Sequence, residues 1–123
     1  MDSIKVAVIA TLLICAEQSS FAQGEFIHPL DFRDTPEQRE RVLQYIVSSV
    51  EQQCTELGIA DFATRRAVEE GELEAFKTLT QARNRVILNR VINECLRLGI
   101  SDYATILAVY EKEVDASEES LKW

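Results

Sequence analysis

Cys54 and Cys95 stand 41 positions apart, and with His28 and two acidic runs they are the residues whose chemistry could reach beyond packing. A structural zinc site draws four ligands from Cys and His. One histidine and two cysteines fall short of that. Redox catalysis through a C-x-x-C pair is excluded by spacing. The two thiols are therefore expected to form a disulfide, since an even cysteine count in an exported chain favours one. Such a bridge closes a loop of about forty residues and adds roughly 3–4 kcal/mol by the chain-entropy argument. The alternative is a pair of reduced thiols buried as small hydrophobes.

His28 lies in FIHPLDF, an extended and proline-flanked lead to the first helix. A Ser-His-Asp arrangement would rest on that extended segment, so His28 reads as a packing or solvent-exposed residue instead. Around it Phe26, Ile27, Leu30 and Phe32 form an arm, residues 23–34, that should dock on the rest of the chain. The acidic runs EEGELE (69–74) and EKEVDASEE (111–119) lack the alternating oxygen ligands and the glycine of a calcium-binding EF-hand loop. A carboxylate pair for glycoside hydrolysis depends on a separation that only the fold can set. Solvated helix ends account for both runs, and no metal or cofactor is expected.

The context for these residues is set at the N-terminus. Residues 1–22 carry Lys5, an apolar run from Val6 to Ala16, and small residues at Ser20 and Ala22. That is the pattern of a cleaved signal peptide, and the run is too short to span a bilayer. Lipidation at Cys15 would want a small residue before it, where Ile14 stands. The whole chain of 123 residues has a formal charge of −8. An acidic balance argues against nucleic acid, whose binding draws on Lys and Arg at phosphates. No Asn-x-Ser/Thr sequon is present, which tilts an exported chain toward a periplasm over a glycosylating secretory route.

The elements that must hold these residues repeat. CTELGIADFATRRAVEE (54–70) and CLRLGISDYATILAVYE (95–111) agree at ten of seventeen positions, which points to duplication. Each phrase reads as a helix end and a helix start. Gly58 and Gly99 suit the left-handed position that closes a helix, and Asp61 and Asp102 suit the next N-cap. Upstream, Leu43, Ile46, Val47, Val50, Cys54 and Leu57 recur at helical spacing, as do Ile87, Leu88, Val91, Cys95 and Leu98. Thr35 and Pro36 mark a helix start. The pattern predicts helices at roughly 36–57, 61–70, 73–98 and 102–115, with Gly71 separating the second from the third. The fold class is therefore all-α: after the signal peptide and arm, residues 35–123 form one four-helix domain. Its two helical hairpins (about 36–70 and 77–111) should face each other, bringing the two cysteines together.

The copies differ in polarity. Where the second has Ile106, Leu107 and Tyr110, the first has Arg65, Arg66 and Glu69. Leu107 is expected in the core, Arg66 outside it, and the Arg65, Arg66 and Glu69 face is the candidate partner surface. The turn LRLGISDYATI resembles that of a helix-turn-helix DNA reader. The acidic charge, the export signal and the apolar residues in the second copy weigh against DNA. The expected function is that of a small exported, non-enzymatic interaction protein, such as an inhibitor or immunity-type binder. Its acidic surface would steer it to a basic protein partner. A carrier holding an apolar ligand between helices is the alternative, and an enzyme without a recognisable signature comes third.

Overall fold

The computed structural model describes residues 25–123. The expected signal peptide, with Cys15, lies outside them. Among the described residues there are four helices and no strand: α1 (Pro36–Glu56), α2 (Phe62–Thr80), α3 (Arg85–Arg97) and α4 (Tyr103–Glu118). No helix among them is long and apolar enough to cross a membrane.

Local sequence explains each boundary. Thr35 caps α1 by accepting a hydrogen bond from Gln38 N–H, and Pro36 occupies the first turn, where its missing N–H costs nothing. At the end of α1, Ile59 N–H donates to Cys54 O (2.8 Å) and Gly58 N–H to Thr55 O (3.2 Å). This is a Schellman closure, and it puts Gly58 at φ 75°. The same closure ends α3, with Ile100 N–H on Cys95 O (2.8 Å) and Gly99 at φ 80°. Asp61 and Asp102 cap α2 and α4, accepting from Thr64 N–H and Thr105 N–H. Hydrogen bonds from Thr64 to the exposed Asp61 hold its carboxyl below the usual range.

The break between α2 and α3 differs from the expected one. Gly71 sits inside α2 with helical backbone, and the chain turns instead at 81–84. Asn84 is the cause. Its side chain caps α3 through Ile87 N–H (3.0 Å), while its own N–H donates to the Tyr110 hydroxyl (3.0 Å). Asn competes well with helical backbone at such a position, whereas one glycine in a helix costs only about 1 kcal/mol. The helix expected over 73–98 is thus divided between α2 and α3.

The centre of the domain is α2 packed on α4. α1 leans on α2 and α3 on α4, and α1 and α3 share no comparable face. Leu79, Leu88, Ile92, Tyr103 and Ile106 are fully buried. Four aromatic rings join the layers: Phe26 of the arm stacks on Tyr103 (5.2 Å), and Tyr45 and Phe76 meet Tyr103 edge-on (5.6 and 4.9 Å). The Tyr103 hydroxyl donates to Ile27 O (2.8 Å) and accepts from Ile27 N–H (3.1 Å), fixing the arm to α4. Burial pushes that phenol far above its ordinary pKa.

This layering corrects the disulfide. Cys54 and Cys95 are both buried, free thiols and do not lie at bonding distance. They belong to α1 and α3, whose apolar faces turn toward different partners rather than toward each other. The two cysteines act as small hydrophobes on separate seams. Burial pushes the Cys95 thiol up, with the carboxylates of Asp102 and Glu94 adding to the shift. It is therefore a poor nucleophile.

Candidate functional site

His28 is held by two hydrogen bonds. His28 Nδ1 accepts from Leu30 N–H (3.1 Å), which places the ring proton on Nε2, where it donates to Asn89 Oδ1 (3.1 Å). His28 thereby ties the arm to α3. Among the described residues no group of three or more His, Cys, Asp or Glu gathers around a possible metal position.

The acidic run 69–74 contains one buried carboxylate, and sequence reasoning passed over it. Glu72 of α2 accepts hydrogen bonds from Tyr103 N–H (2.7 Å) and Ala104 N–H (3.1 Å) at the start of α4. It is 8% exposed and is the one buried charged side chain among the described residues. Burial raises its pKa, the two N–H groups pull it back, and nearby Asp102 pushes it up again. The positive end of the α4 dipole supplies the compensation that a cation would otherwise give. The signal in the sequence was faint, since nothing in EEGELE distinguishes Glu72 from its neighbours.

The expected partner face divides in two. Arg66 is exposed, and its guanidinium lies 3.8 Å from Glu69, whose side chain is only 14% exposed. Arg65 is half-buried: Nη2 donates to Ile59 O (3.3 Å), holding the α1–α2 turn, and Nε is buried without a hydrogen-bond partner among the described residues. Arg65 therefore serves the turn, and Arg66 is the outward group.

Beside Arg66 lies a residue the sequence comparison had passed over. Phe62, in the first turn of α2, is 84% exposed. Tyr103, its counterpart 41 positions on, has no exposed surface. What covers Tyr103 is Tyr45 of α1, Phe76 of α2 and Phe26 of the arm, and no element among the described residues covers Phe62. Leu57, the C-cap residue of α1, is also largely exposed. Phe62, Leu57 and Arg66 thus leave two large apolar side chains and a cation exposed at the α1–α2 turn and the start of α2. Large exposed aromatics grouped with another apolar side chain and an arginine have the composition of a binding hot spot.

Leu107, expected in the core, is half-buried and rests on the core's edge, while Ile106 and Tyr110 beside it are buried. No protein-family model, curated protein or solved structure gives a significant match to this chain.

Proposed function

We propose that this chain is a small exported, non-enzymatic interaction protein, built by duplication of a helical hairpin, that engages another protein through the tip of its first hairpin. The observation that carries this reading is the contrast between Phe62, 84% exposed, and Tyr103, fully buried at the equivalent place. A fold that hides an aromatic ring in one copy and presents it in the other leaves a ready anchor for a partner's pocket. Phe62 and Leu57 supply the desolvated centre, and Arg66 supplies a directional polar contact at its edge. The formal charge of −8 over the whole chain favours encounter with basic proteins, by steering rather than by contact energy.

The test is a paired measurement on Phe62→Ala and Arg66→Glu. Both variants should unfold at the parent's urea midpoint, since neither side chain is buried. Both should lose retention of a partner that the parent captures from the envelope fraction of its source. Equal retention by parent and variants would overturn the reading.

A further inference from the structure

At the opposite end of α2 from Phe62, the arm, α1 and α2 enclose an open groove of about 480 Å³. Its floor is apolar: Phe32 of the arm, Val42 and Leu43 of α1, and Leu73 and Phe76 of α2. Phe32 meets Phe76 edge-on at 5.0 Å, so the floor is held by a packed aromatic pair. The volume falls within the range of small-molecule pockets. Leu43 is 43% exposed along this wall.

The rim carries charge of an informative kind. Arg39 and Asp34 are bridged to each other through two hydrogen bonds, so their charges cancel locally. Lys77, on the α2 side, has no ion-pair partner among the described residues. Thr80 and Gln81 lie beside it on the rim. An apolar trough with one unneutralised ammonium at its lip is complementary to a molecule with an apolar body and a single anionic end.

We infer that this groove binds an amphipathic carboxylate of the medium-chain fatty-acid class, its chain along Leu43, Leu73 and Phe76 and its carboxylate at Lys77. The inference stands apart from the proposed protein interface, because it uses different residues at the other end of α2.

The experiment is an NMR titration of the purified protein with dodecanoate, with dodecanol as the uncharged probe. Dodecanoate should shift the amide signals of Leu43, Leu73, Phe76 and Lys77 and leave those of Phe62 and Arg66 in place. Lys77→Gln should weaken dodecanoate about fivefold, the worth of one exposed ion pair of about 1 kcal/mol, and leave dodecanol binding unchanged. Leu43→Asp, at an already exposed position, should abolish both. Shifts scattered over the surface, an equal response of both probes to Lys77→Gln, or uptake of the protein by anionic phospholipid vesicles without a response to monomeric dodecanoate would each overturn it.

Discussion

Glu72 in the middle of α2 accepts a 2.7 Å hydrogen bond from the backbone N–H of Tyr103, the first residue of α4. Two helices are thus joined by a carboxylate that closes the end of another helix, in addition to that helix's own cap at Asp102. Glu72→Ala should cost about 2–3 kcal/mol, because it takes the carboxylate partner from two N–H groups, the one on Tyr103 buried. Glu72→Gln keeps one acceptor and should cost less. Urea unfolding of the three proteins decides between a structural carboxylate and a solvated one.

The same residue gives a pH signature. Its native pKa is raised above the ordinary 4.5, chiefly by burial. The native state therefore holds a proton that the unfolded chain has already lost, and stability from this group falls as pH rises from 4.5 through the raised native value. Measured against Glu72→Gln across that window, the parent should lose ground with rising pH. A parent that gains ground would show that the two N–H groups outweigh desolvation.

Gly71→Ala should stabilise the protein by about 0.5–1 kcal/mol, since α2 runs through this position and an added Cβ meets nothing within 4 Å. The same change at Gly58, where φ is 75°, should destabilise by about 1 kcal/mol or more. Thermal unfolding of both variants should give shifts of opposite sign. Equal signs would mean that α2 is interrupted after all.

Cys54 and Cys95 should both take up alkylating reagent once the protein is unfolded without reductant, adding two adducts by mass. In the native state Cys95 should react slowly, as its burial and raised pKa require. Reductant should leave the melting temperature unchanged. A single bridged peptide would overturn the assignment of the cysteine helices to separate seams.

Around α4, Ile106→Ala should cost about 2–5 kcal/mol, the range for a fully buried aliphatic side chain. Leu107→Ala should cost about 1–2 kcal/mol, in keeping with half burial. Arg66→Ala should stay within about 0.5 kcal/mol. The ordering of the three in urea is the measurement, and a Leu107 loss equal to that of Ile106 would place both in the core.

These contrasts show which parts of the fold were legible beforehand. Schellman glycines and aspartate caps are short-range devices, so Gly58, Asp61, Gly99 and Asp102 announce themselves in the chain. The 81–84 break does not, because Asn84 owes part of its role to the Tyr110 hydroxyl, a contact 26 residues away. Helical spacing places Leu43, Val47 and Cys54 on one apolar stripe of α1, yet only the cysteine is buried. A periodic pattern gives the stripe but not which neighbour covers each edge of it. The disulfide expectation failed at that step: equivalent positions on repeated helices need not face one another. The tip at Phe62 was hidden by similarity, since Phe and Tyr read alike until one is seen inside and the other outside.

The Ile27–Tyr103 pair reaches across 76 residues of chain. On the ribosome Ile27 appears first, and its partner is not made until 76 residues later, a delay of roughly 4–15 s at ordinary rates of synthesis. Through that interval Phe26 can meet only the Tyr45 ring of α1, and the Tyr103 hydroxyl that will hold Ile27 does not exist. The arm therefore gains its last anchor only once α4 has been made. A chain truncated before α4 keeps the Phe32–Phe76 contact of its arm but leaves Ile27 without the hydroxyl that binds both its N–H and its C=O.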